Sequence, residues 1–205
     1  MRSYTARSLG DVLDAFSSND PVPGGGSAAA LTGALGTALL MMVAGITKTR
    51  TGAPQERREL DEAIERLRPL RVTLTSLIDR DSDAYRVVVN AIRLPRHSDD
   101  QIAVRRRAIG EAMRAATDTP LQTMRACQQV LAEAAVVARN GLKSASSDVG
   151  VAIELLRAAT RGAGLNVDAN THELSDKEFA AIVRAESQEI ETGTAADAAR
   201  ARALL

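Results

Sequence analysis

Pro21-Val22-Pro23-Gly24-Gly25-Gly26-Ser27 opens the stretch that decides the fold, and an uncharged run over residues 28–47 follows it. Two prolines bar a helix before this point. Three glycines permit backbone angles that a side chain forbids and let a ligand approach the main chain closely. Ser27 stands where an N-cap belongs. The run behind it, rich in Ala, Leu, Gly and Thr, favours a helix apolar on every side, the kind found at the centre of a bundle. A flexible loop thus feeds the N-terminus of a buried helix, where unpaired N–H groups suit anionic ligand groups. A glycine triplet alone also reads as ordinary punctuation before a core helix.

The bulk numbers fit that centre. A chain of 205 residues holds a real core in a single domain spanning residues 1–205. Its 26 basic and 26 acidic residues balance, so charge gives no pull toward nucleic acid. Trp is absent, and Tyr and Phe supply two residues each, too few for a base-stacking platform. One cysteine, Cys127, excludes an internal disulfide and fits a reducing, cytoplasmic setting. The N-terminus lacks the apolar core of a secretory signal. The run over residues 28–46 approaches bilayer length, but no second such run exists, and we expect no membrane span.

Outward from the centre, apolar spacing predicts helices throughout, hence an all-α bundle with a buried central helix after a glycine-rich loop. Ser8 with Asp11 starts a first helix whose face is Leu9, Val12, Leu13 and Phe16. A long helix over residues 55–92 contains Pro69, which should kink or break it. A helix over residues 100–116 precedes a fresh start at Thr119-Pro120. Asn140-Gly141 is a natural stop. Ser146 or Ser147 caps the next helix, and Ser175 with Glu178 caps a looser final one anchored by Phe179, Ile182 and Val183.

Some polar residues interrupt this pattern. Asp81 falls on the apolar stripe of the long helix, four residues after Leu77 and four before Tyr85. A carboxylate there is costly unless paired; it is either a structural hydrogen-bond acceptor or a group with a tuned pKa. Asp148 lies in a first helical turn, where the dipole alone favours it. Asn166 and Asn170 sit one turn apart on an apolar side and need partners. His97 and His172 lack neighbours at metal-ligand spacing, so no metal site is expected. Cys127 reads as a packing residue.

These residues alone name no substrate. The blocks that carry them, however, resemble one family in order: Pro21 to Thr47; Asp81-Ser82-Asp83-Ala84-Tyr85 with Leu94-Pro95; Ala116-Thr117 with Pro120-Leu121; Ser147-Asp148-Val149-Gly150-Val151-Ala152; and Gly162-Ala163 with Asn166-Val167, Asn170 and Asp176. They resemble the formiminotransferase-cyclodeaminase family, of the C-terminal cyclodeaminase type that includes stand-alone methenyltetrahydrofolate cyclohydrolases. The resemblance implies a homodimeric helical enzyme acting on the N5–N10 carbon bridge of a reduced folate, with no cofactor beyond tetrahydrofolate as the substrate's carrier. Cyclohydrolase leads because no formiminotransferase segment is seen; cyclodeaminase, or a non-catalytic helical dimer of the same family, are the other readings. On this resemblance Asp148 or Asp81 would stabilise the cationic carbon and shuttle its proton. Asn166 and Asn170 would bind the pterin edge. Gly24, Gly25, Gly26 and Ser27 would lie against substrate, and Lys48 or Arg50 would meet the glutamate tail. The chain departs from the family at Thr49-Arg50-Thr51-Gly52, where Gly-Lys-Lys-Tyr is usual, and at Leu142-Lys143-Ser144, where asparagines are usual.

Overall fold

The computed structural model describes residues 3–205, and six α-helices account for most of them. They are α1 (Leu9–Ser17), α2 (Gly25–Ala44), α3 (Pro54–Ile92), α4 (Asp99–Asn140), α5 (Ser146–Glu173) and α6 (Lys177–Arg202). The all-α expectation holds. Ser8 caps α1 by accepting from the Asp11 N–H at 3.1 Å. Asn140-Gly141 ends α4, as expected.

α2 is the centre, packed against α3, α4 and α5. Leu40, Val43 and Ala44 on it are fully buried. Among the described residues it is the one helix long and apolar enough to cross a bilayer, and 56% of that span is buried in the bundle. Small residues let α5 come close. A Cβ on Gly36 would lie 3.0 Å from Leu156 Cγ and 3.1 Å from the Ala152 carbonyl. A Cβ on Gly162 would lie 3.6 Å from Ala29. These two contacts, early with late and middle with middle, make α2 and α5 antiparallel neighbours. Cys127 is fully buried on α4, and burial pushes its thiol up to about 12. It packs rather than reacts.

Several local expectations are corrected. Neither Ser146 nor Ser147 caps α5; Ala145 does, without a side-chain bond, and both serines lie in the first turn. Ser27 is not the N-cap; Gly24 is, without a side-chain cap, and Ser27 lies inside the first turn of α2. Pro69 does not break α3, which runs through it as one helix. Nor does Thr119-Pro120 restart a helix; α4 is continuous from Asp99 to Asn140. α6 begins one residue later than expected, capped by Asp176, whose carboxylate accepts from the Phe179 N–H at 2.9 Å. Its packing is regular, with Ala180, Val183, Ser187, Ile190 and Thr194 buried, whereas Ile182 is exposed and anchors nothing.

The tolerance of Pro120 has a visible cause. A proline inside a helix offers no N–H to the carbonyl four residues back. Here that carbonyl is Ala116, and Asn170 on α5 donates to it from Nδ2 at 2.9 Å. The amide of α5 thus replaces the hydrogen bond that α4 lacks.

Candidate active site

The N-terminus of α2 meets α3 through one buried polar knot. Asp81 Oδ2 accepts from the Ser27 backbone N–H at 2.8 Å. The Ser27 hydroxyl lies 2.9 Å from the same oxygen, 2.8 Å from the Ile78 carbonyl and 3.1 Å from Ser82 Oγ. A hydroxyl has one proton to give. When it goes to Ile78, the protonated Asp81 carboxyl can donate to Ser27 Oγ; when it goes to Asp81, the carboxylate is stabilised. The knot therefore accommodates both protonation states. Burial pushes the Asp81 pKa up, and the two Ser27 hydrogen bonds pull it part of the way back.

Gly26 makes the knot possible. A Cβ at that position would sit 2.0 Å from Asp81 Oδ1. Any side chain would evict the carboxylate. The third glycine of the opening stretch is thus needed for close approach, not for an unusual backbone angle.

Beside the knot lies a cavity of about 500 Å³, within the range of small-ligand sites. Its floor is Pro21, Val22 and the three glycines; the Val22–Pro23 peptide is cis. Tyr85, Val88 and Ile92 of α3 form one wall, and Ile109, Met113 and Ala116 of α4 form another. Asn166, Asn170 and Glu173 of α5 close it. The lining carries two carboxylates, Asp81 and Glu173, and no lysine or arginine. Such a chamber suits a flat, largely apolar ligand with a cationic centre. A larger hollow of about 570 Å³, between Tyr4, Arg7 and α1, shares none of the residues of the Asp81 knot.

The structure brings together Gly24, Gly25, Gly26, Asp81, Asn166 and Asn170 around this cavity, with Ser27 directly behind. Asn166 Nδ2 donates to the Gly162 carbonyl of its own helix at 2.8 Å, which leaves its amide oxygen as an acceptor beside Gly25. The other sequence-predicted residues lie elsewhere. Asp148 is 18 positions before Asn166 on α5, five full turns and about 27 Å away, and lines no part of this cavity. Lys48 is exposed beyond the other end of α2. Arg50 serves the fold: its guanidinium donates to the Ala138 carbonyl at 2.5 Å and the Leu204 carbonyl at 3.1 Å. The departing segment Thr49-Gly52 is also at that far end, tied by Glu56 to Thr49 at 2.5 Å and to the Thr51 N–H at 2.9 Å.

Glu173 and Tyr85 were not singled out by the sequence. Glu173 follows Asn166 and Asn170 at helical spacing, seven and three residues on, a signal that could have found it. Tyr85 follows Asp81 by one turn in the same way. His172, by contrast, is exposed and bonded through Nδ1 to the Asp168 carbonyl.

The family model of formiminotransferase-cyclodeaminase matches residues 8–189. The chain belongs to the formiminotransferase-cyclodeaminase family. Family relatives include a methenyltetrahydrofolate cyclohydrolase of Methylorubrum extorquens, 40% identical over 168 residues, covering 82% of this chain and 81% of that enzyme. The rat formimidoyltransferase-cyclodeaminase is 34% identical over 161 residues, but the match spans only 29% of its length. A crystal structure of a formiminotetrahydrofolate cyclodeaminase from Thermotoga maritima superposes with a TM-score of 0.86 at 26% identity, covering 98% of this chain and 96% of that one.

Proposed function

We propose that this chain is a methenyltetrahydrofolate cyclohydrolase, and the observation that carries the reading is Asp81, held by Ser27 over Gly26 at the wall of the cavity. The relative that matches over 81% of its own length bears that name. The methenyl bridge is an amidinium cation between N5 and N10, and it is flat and electron-poor. The two carboxylates of the lining attract it, and the apolar walls hold the ring.

Hydrolysis then needs one water and one proton relay. Water adds to the bridging carbon and gives a proton to the Asp81 carboxylate. The carbon becomes tetrahedral and neutral. Asp81 returns the proton to N5, the C–N5 bond breaks, and the formyl group stays on N10. One proton is released overall. The cationic substrate lowers the Asp81 pKa and so favours the carboxylate on binding; once that charge is neutralised by addition, the buried site favours the acid again. Asn170 and Asn166 present amides to the pterin edge. No cofactor takes part beyond the tetrahydrofolate that carries the carbon.

The fold likeness to a cyclodeaminase favours a second reading, ring closure of 5-formiminotetrahydrofolate with release of ammonia. The tetrahedral carbon and the Asp81 relay are the same. Absorbance of the methenyl chromophore separates the two. Accelerated loss in water supports the cyclohydrolase; appearance from the formimino substrate, with ammonia, supports the cyclodeaminase; no change in either assay overturns both and leaves a non-catalytic dimer.

The protein acts as a homodimer in this reading. Leu35 and Met42 on α2 and Val151 on α5 are about half exposed, on an apolar face of the two central helices. A second copy, rather than a membrane or a nucleic acid, fits that face and the balanced charge. The free thiol suits a cytoplasmic setting.

A further inference from the structure

The cavity at Asp81 continues past Glu173. A second hollow of about 240 Å³ adjoins it, and Ile109, Met113 and Glu173 line both. The outer hollow adds Ile102, Arg105, Arg106, Gly110 and Ser175. A hydrogen bond ties the two parts: Arg105 Nε donates at 3.0 Å to the carbonyl of Ile92, the last cavity residue of α3. Three helices run outward together along this groove. α3 supplies Asp81, Tyr85, Val88 and Ile92 in that order. α4, running the other way, supplies Ala116, Met113, Ile109 and then the two arginines. α5 supplies Asn166, Asn170 and Glu173. Eleven residues separate Asp81 from Ile92, so the groove spans about 16 Å before the arginines begin.

Its character changes along that length. The inner part holds the Asp81 carboxyl, and no cation lines it. The middle is apolar, between Val88, Ile92, Ile109 and Met113. The outer hollow sets two guanidinium groups against the one carboxylate of Glu173, an excess of one positive charge even with Glu173 counted there. Among the described residues, Arg106 makes no hydrogen bond or ion pair, and Arg105 uses Nε alone. Both terminal nitrogens of Arg105 keep their donors. Arg114 and Arg125, further along α4, are instead paired with Asp176 and Glu186.

Resting on the cyclohydrolase reading, we propose that the outer hollow is the subsite for the substrate's glutamate, and that Arg105 and Arg106 select for it. A reduced folate carries three characters in the same order: a cationic bridge beside the pterin, a benzoyl ring, and a glutamate with two carboxylates. One direction of binding matches each to its surroundings. With the bridge at Asp81, the ring lies between Ile92 and Met113, and the carboxylates reach the arginines. Reversed, the glutamate meets Asp81 and the cationic bridge meets the guanidinium groups. Charge therefore orients the substrate as well as holding it. Arg105, fixed through Nε, offers its two terminal nitrogens to one carboxylate; Arg106 takes the other. Lys48 and Arg50, which the family resemblance suggested for the tail, lie beyond the other end of α2.

Two substrates test this: methenyltetrahydrofolate, and the same compound cut back to its neutral benzamide. The wild-type KM should be about tenfold lower for the first. Arg105→Gln/Arg106→Gln should raise that KM about tenfold, with kcat unchanged, and leave the KM for the benzamide where it was. Gly110→Glu is a second variant that removes no arginine. A Cβ at position 110 meets nothing within 4 Å, and the new carboxylate competes for the arginines, so the same KM alone should rise. The helical spectrum and melting curve verify folding of each variant. Equal KM values for the two compounds in the wild type, or equal rises for both in the variants, overturn the subsite and leave the cyclohydrolase reading intact. A wild-type protein that neither opens nor forms the methenyl bridge overturns the catalytic reading, and calorimetry with tetrahydrofolate and its benzamide then reads the subsite by itself. A glutamate preference lost in the double variant supports it; no preference in the wild type overturns it.

Discussion

Two carboxylates at opposite ends of α2 have been driven in opposite directions. Glu56, at the far end, is partly exposed and gathers donors from Thr49, Thr51 and Gly52; its pKa is lowered to about 2, first by the Thr49 hydroxyl and then by the Thr51 backbone. Asp81, at the cavity end, is held by Ser27 alone, and burial raises its pKa. The far end is built to keep a charge and hold a turn. The cavity end sets a carboxyl that holds its proton more readily than usual within reach of a ligand. Hydrogen bonds outweigh the small burial at Glu56, whereas at Asp81 burial outweighs the hydrogen bonds. The same carboxyl group is thus set in opposite electrostatic surroundings at the two ends.

The sharpest way to break the contrast is at Gly26. Gly26→Ala places a methyl where Asp81 Oδ1 now sits. The carboxylate must swing out and lose Ser27. Turnover should fall by about a hundredfold or more, with a stability loss of about 1–3 kcal/mol by overpacking. Steady-state kinetics and a urea melt read both. Gly52→Ala at the far end, where nothing lies within 4 Å but φ is +86°, should cost about 1 kcal/mol from the strained backbone and leave turnover unchanged. Equal effects of the two substitutions on turnover would erase the distinction.

Next in size is Asp81→Asn. The amide keeps the size but cannot relay a proton, so kcat should fall by about two to four orders of magnitude. Its melting temperature at neutral pH should hold or rise, because a buried charge is removed. A protein that unfolds instead would assign Asp81 to structure alone.

Acid sharpens the same comparison. A group with a raised native pKa stabilises the fold below its unfolded value, 3.8 for Asp81, and that contribution is lost as pH rises through the native value. Glu56 behaves in reverse: its contribution is present above 4.5 and is lost as pH falls toward about 2. Between pH 4.5 and 2, hydrogen-exchange protection relative to the unfolded chain should therefore fall first at Thr51 and Gly52, with the Ser27 amide still protected. Release of the Ser27 amide first would reverse the assignment.

The fold was more legible than the site, for a physical reason. Helix periodicity is local, so Leu60, Leu67, Leu74 and Leu77 announce α3 in any window of the chain, and all are fully buried. The glycine block and Asp81 were legible because a carboxylate on an apolar stripe is an anomaly in sequence itself. What failed were inferences that depend on another element. Ser27 looks like a cap until α3 supplies Ile78 and Asp81 for its hydroxyl and N–H. Arg50 looks like a tail-binding cation until the last turn of α4 and the segment just after α6 present carbonyls to it. Asp148 and Asn166 are equally polar in the sequence, and only the direction of α5 separates them by its length.

Pro120 shows the same dependence on another element at its smallest scale, and gives the mildest prediction. Pro69 and Pro120 both sit inside unbroken helices. Pro69 is exposed, so water can serve the carbonyl it leaves free; the carbonyl left by Pro120 lies at the cavity and is served by Asn170. Asn170→Asp removes that donor, and the carbonyl and carboxylate then repel. This should cost about 1–2 kcal/mol. Pro120→Ala restores a backbone N–H to Ala116 and frees Asn170 instead. The double variant should recover most of the stability lost by Asn170→Asp, because the carbonyl no longer needs the amide, yet its KM for a reduced folate should stay raised if, as proposed, the amide also meets the pterin edge. Additive losses in the double-variant cycle would mean that the proline and the asparagine are neighbours without being partners.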